Sequence, residues 1–157
     1  MSQQQAGAPG FAPIEQQSSF GMAIAAGVGA AIVGAVLWAA ITVISGWKLG
    51  VVAIAIGYIV GQAIRTAGKG NDQKFAILGA VCALFGCVLG DVLGDLAAVA
   101  TMQGVGTERL LALLGTQGID LIGRIVVKSF DAMDLVFYAI AVYEGFRFSV
   151  VRQGSAA

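Results

Sequence analysis

Residues 20–44 read FGMAIAAGVGAAIVGAVLWAAITVI, and the charge-free stretch around them runs from Gln16 to Trp47. At 1.5 Å of rise per residue this segment makes a helix of about 37 Å, long enough for the ~30 Å hydrocarbon core of a bilayer. Its Ala, Gly, Ile and Val residues present no polar face, so the reading is a membrane-spanning helix.

The remaining sequence follows the same pattern in shorter runs. Leu49 to Ile64 is bracketed by Lys48 and Arg65, whose aliphatic stems can lie along the apolar layer while their charges reach water, with Trp47 at the boundary. This predicts a second span over 48–65. TAGKGNDQK, residues 66–74, has the composition of a polar turn between antiparallel helices. A third span is predicted over 74–96, with Asp91 and Asp95 at its far interface. The fourth, over 131–150, is short of uncharged residues between Asp134 and Glu144. It requires Asp131 to cap its start, and Glu144 and Arg147 to sit one turn apart near the other boundary.

Between spans three and four the period changes. Leu121, Ile122, Ile125, Val126 and Phe130 recur at helical spacing, while Asp120, Arg124 and Lys128 share another face. An amphipathic helix is predicted over 118–129, and a shorter one over 107–115 with Thr107 as N-cap. Both are expected to lie at the membrane surface. Residues 1–19 read as a disordered polar tail without the basic charge of a secretory signal, and 152–157 as a second tail around the 20–151 membrane domain. The expected fold is therefore all-α: a transmembrane four-helix bundle with short interfacial helices between spans three and four.

Composition narrows the function classes. Of 157 residues, 58% are hydrophobic and 11% charged, against about 25% charged in soluble domains. Nine basic and nine acidic residues balance, and no Lys/Arg-rich run offers a nucleic-acid footprint. Histidine is absent, which removes the commonest general base and zinc ligand. No nucleophile-base constellation is visible, so no enzyme, metal or cofactor is expected. Cys82 and Cys87 point in different directions on one helix and read as buried apolar thiols.

Two sets of residues remain as candidates. Gly57, Gly61, Gly86, Gly90 and Gly94 permit close helix approach, either inside this chain or against a partner helix or second copy. Asp91, Asp95, Asp131 and Asp134 fall on one side of the membrane, where they read as caps and ion pairs to Arg124 or Lys128, or as a speculative cation or partner site. Glu144 reads as an interfacial ion pair with Arg147, Arg65 or Lys74, or as a proton relay. Arg65, Lys69 and Lys74 in the turn between spans two and three outnumber Lys48 in the preceding one, which places both termini in the cytoplasm.

The run ISGWKLGVVAIAIGYIVGQAIRTAGKG, the glycine-rich third span and FDAMDLVFYAIAVYEGFRFS resemble a family of small bacterial four-span membrane proteins of unassigned function. The resemblance covers roughly Ala23 to Val150. It rests on Trp47 to Gly50, on Gly57 and Gly61 leading to Arg65, and on the Asp-Leu-Val-Phe-Tyr-Ala start of span four continuing to Tyr143 and Arg147. It implies the topology and a bacterial inner membrane, and carries no functional residue. The expected role is an accessory, scaffold or assembly subunit working by helix packing against a membrane-protein partner or a second copy. The alternative is a small cation or solute channel or transporter using the acidic cluster.

Overall fold

The computed structural model describes residues 18–46, 50–104 and 131–150, with single positions between 106 and 127. Four long helices account for these segments: α1 (Phe20–Ser45), α2 (Gly50–Gly68), α3 (Gln73–Gln103) and α4 (Ala132–Phe148). The interfacial helices expected over 107–115 and 118–129 fall largely outside the described residues, as do the first 17 residues, the Trp47 and Lys48 boundary, and the tail from 151. The described chain is helical, and α1, α2 and Gln73–Met102 of α3 are long and apolar enough to cross a membrane.

The helix ends have local causes. Ser19 caps α1, its side chain accepting from the Met22 amide, while its own amide donates to the Gly68 carbonyl and so ties the start of α1 to the end of α2. Gly46 closes α1 in the left-handed region at φ 70°, where glycine carries no Cβ penalty. After α2, Asp72 precedes α3 and pairs at 3.0 Å with Lys74. The Lys74 ammonium lies 5.9 Å from the Phe20 ring centroid and 5.5 Å from that of Phe75, a charge held at the apolar boundary by its aromatic neighbours.

α2 continues three residues past the expected Arg65, and α3 continues past Leu96 to Gln103. The Ala97–Ala100 stretch favours helix, and Gly104 at φ 63° supplies the stop. At about 46 Å, α3 is therefore longer than the hydrocarbon layer.

Asp131 caps α4, its carboxylate accepting from the Ala132 amide at 2.7 Å, while Asp134 accepts from the Asp131 amide at 3.0 Å. Together they form a capping box. α4 ends at Phe148, two residues before the expected Val150, with Ser149 turning back to donate to the Gly145 carbonyl. Asp131→Ala is expected to destabilise the protein by about 0.5–2 kcal/mol and to speed hydrogen exchange in the first turn of α4. Unchanged exchange there would show that the cap does not hold this end.

α2 and α3 pack on each other, and α1 and α4 occupy opposite corners, each against both. Among the described residues, α1 and α4 share no backbone packing. The core is made of Ala23, Ala31 and Trp38 from α1, Ala53, Ile56, Val60 and Ile64 from α2, Phe75, Cys82, Ala83 and Cys87 from α3, and Ala141 from α4. Many larger apolar side chains, among them Ile32, Val36, Val81, Phe85 and Leu135, point outward, the arrangement that lipid favours and water opposes.

Candidate functional site

The most polar feature of the interior is built on Asp91. α3 carries it at 7% exposure into the space between α1 and α4. Trp38 of α1, 1% exposed, donates from its indole Nε1 to Asp91 Oδ1 at 3.0 Å. The Tyr138 hydroxyl of α4 donates to Asp91 Oδ2. Both carboxylate oxygens thus accept from donors, the buried Trp38 indole and the half-buried Tyr138 hydroxyl, which offsets the desolvation that an isolated acid would suffer here. The network bridges α1 and α4, two helices whose backbones do not pack on each other among the described residues. Trp38 fits because α3 has glycine beneath it: a Cβ at Gly90 would stand 2.8 Å from Trp38 Cβ.

The four aspartates singled out from the sequence are divided over three settings. Asp91 is buried between helices, held by Trp38 and Tyr138. Asp95, one turn on, lines a groove between the ends of α1 and α3. Asp131 and the 2%-exposed Asp134 serve the capping box of α4. Among the described residues, no three His, Cys, Asp or Glu side chains are placed to hold a metal ion.

The glycines sit against neighbours from this same chain. A Cβ at Gly57 would stand 2.6 Å from the Ala141 carbonyl oxygen, one at Gly61 2.7 Å from Phe148 Cβ, and one at Gly86 3.1 Å from the Ala31 carbonyl oxygen. Gly94 is looser, with 3.6 Å to Ala39 and Thr42. Glu144 faces Gly57, its Cβ 2.8 Å from where a Cβ there would lie, which sets it level with the middle of α2. Arg147 donates at 3.1 Å to the Tyr143 hydroxyl, and Lys74 is engaged by Asp72.

Two features escaped the sequence reading. Gly79 and Gly145 bring α3 and α4 together backbone to backbone, a Cβ at Gly145 falling 2.5 Å from the Gly79 carbonyl oxygen. Trp38 and Tyr138 hold Asp91. A tryptophan within an apolar run is a signal of this kind, because its buried N–H needs an acceptor. Chemically, the Asp91 network is a positioning device: the carboxylate is engaged on both oxygens, and Cys87, one turn before it, is a buried free thiol, as is Cys82 further back along α3. Comparison of the chain with protein-family models, curated proteins and solved structures finds no match to any of them.

Proposed function

We propose that this protein is an accessory, scaffold or assembly subunit of a bacterial inner membrane, with α4 as its fourth span and both termini cytoplasmic, and that it docks a partner helix on the outer face of α1. The observation that carries the reading is the contrast between two sets of small residues. Gly57, Gly61, Gly86 and Gly90 are covered from within the chain, whereas Cβ atoms built at Gly21 and Gly29 meet nothing within 4 Å, and Ala25 between them is exposed. Gly21, Ala25 and Gly29 fall one helical turn apart on a corner helix. Such a row permits the close backbone approach by which helices associate in lipid.

The fourth span is supported by the packing of α4 on α2 and α3; its 17 residues stand at the short end of what crosses a bilayer. The orientation is supported by Arg65, Lys69 and Lys74 at the α2–α3 end. The resemblance to small bacterial four-span proteins agrees with both, and the role needs no chemistry of the chain's own. A cation pathway has less behind it, since Asp91 is engaged by Trp38 and Tyr138, Asp131 and Asp134 form the capping box of α4, and Asp95 stands apart from them in a groove between α1 and α3.

Gly29→Ile tests the reading. The site is open, and isoleucine favours helix over glycine, so helicity and thermal stability are expected to hold while co-purification of the partner, or self-association, falls about tenfold or more, the equivalent of ~1.4 kcal/mol. Full retention of assembly by a folded Gly29→Ile protein, repeated with Gly21→Ile, would remove α1 as the docking face.

A further inference from the structure

We propose that the groove between the carboxyl-terminal ends of α1 and α3 binds the ammonium headgroup of phosphatidylethanolamine, with Asp95 as the anion that receives it. The two helices separate toward this end: the Cβ clearance on α1 opens from 2.8 Å at Gly90 to 3.6 Å at Gly94. One turn further lies a groove of about 380 Å³ lined by Thr42, Val43, Asp95, Ala98, Thr101 and Met102.

Its chemistry is one-sided. Asp95 is its charged group, and among the described residues no hydrogen bond or ion pair engages that carboxylate. The last turn of α1 contains no basic residue, so the partial negative charge of the helix end adds to the field of Asp95. The Thr101 hydroxyl donates to the Ala97 carbonyl, which leaves its lone pairs to accept. Val43, Ala98 and Met102 make the rest of the wall apolar, and Met102 is 88% exposed.

Depth then selects the ligand. Thr42 lies within one turn of the end of α1, a helix long and apolar enough to cross a bilayer, which sets the groove near the level of lipid headgroups. A primary ammonium brings three N–H donors for the Asp95 carboxylate and the threonine oxygens. Its acyl chains can follow the apolar wall, and its phosphate remains in the hydrated headgroup region. A choline headgroup has no N–H to donate. A bare divalent ion seeks six or more oxygens, and the described lining offers one carboxylate.

The test is native mass spectrometry of the full chain in mild detergent with phosphatidylethanolamine, phosphatidylcholine and phosphatidylglycerol of identical acyl chains. Phosphatidylethanolamine adducts are expected to exceed the other two on the order of tenfold. Asp95→Asn should bring them to the phosphatidylcholine level with circular dichroism and elution volume unchanged. A series of N-monomethyl, N,N-dimethyl and choline headgroups on the unmodified protein makes the same test without any variant. Binding should fall with each donor removed. Equal binding along that series, or a preference for phosphatidylethanolamine that survives in folded Asp95→Asn, overturns the proposal.

Discussion

Gly79→Ile is expected to separate α4 from the rest of the protein and to lower the unfolding free energy by about 3 kcal/mol or more, the upper end of what overpacking does to a tight core. A Cβ at position 79 would fall 1.8 Å from Ser149 Oγ and 2.2 Å from the Gly145 carbonyl oxygen. A side chain could rotate out of such a contact, but a carbonyl of the opposing helix moves only if the helix moves. The displacement would also disturb the Ser149 bond to Gly145 that ends α4. Even Gly79→Ala should destabilise, although alanine is the better helix former by about 1 kcal/mol. Gly29→Ala, at an open position of another helix, should not. Denaturation in detergent micelles followed by circular dichroism, with limited proteolysis reporting release of α4, reads both effects. A Gly79→Ile protein as stable as its parent would mean that α3 and α4 do not cross at this point.

The helical membrane character could be read directly from the sequence, because a charge-free run of the length of residues 20–44 has few other physical outcomes. The start of α4 was legible too, since Asp131 followed by Asp134 at the third helical position is a local signal that needs no tertiary information. The Gly79–Gly145 crossing was not. Gly57 and Gly61 declare themselves by their spacing on one helix, whereas Gly79 and Gly145 stand singly on two helices and meet only once rotation and register are known.

The aspartates fail to separate in sequence for a related reason. Asp91 and Asp95 are one turn apart near the end of an apolar run, so both read as interfacial. Only the extension of α3 to Gln103, and the approach of Trp38 over Gly90, distinguish an acid inside the bundle from one at its edge. Ala97 to Ala100 favours helix without requiring a longer membrane span, so the sequence leaves open how far α3 runs beyond Leu96.

Asp91→Leu is expected to lower the unfolding free energy by about 2–4 kcal/mol, because it leaves the Trp38 N–H and the Tyr138 hydroxyl without the acceptor that each uses. The opposite deletion should be worse: Trp38→Phe combined with Tyr138→Phe retains the buried acid and removes both of these donors, a change of about 3–5 kcal/mol. Asp91→Asn keeps an acceptor and the shape of the side chain, so it should fall below either. The informative protein is the triple variant, Asp91→Leu with Trp38→Phe and Tyr138→Phe, which lacks both the carboxylate and the two donors that reach it. If the three side chains act as one network, its stability should lie well above the sum of the separate losses, the non-additivity expected of groups in mutual contact. Strict additivity would instead mean that each side chain acts by filling space, and that the link from α1 to α4 through Asp91 contributes nothing beyond packing. The distinction also bears on what an acid contributes at this buried position. An apolar trio of similar volume can match or exceed the stability of a buried polar network, so what Asp91 adds is register: two corner helices that share no backbone packing among the described residues are aligned by one carboxylate that both reach.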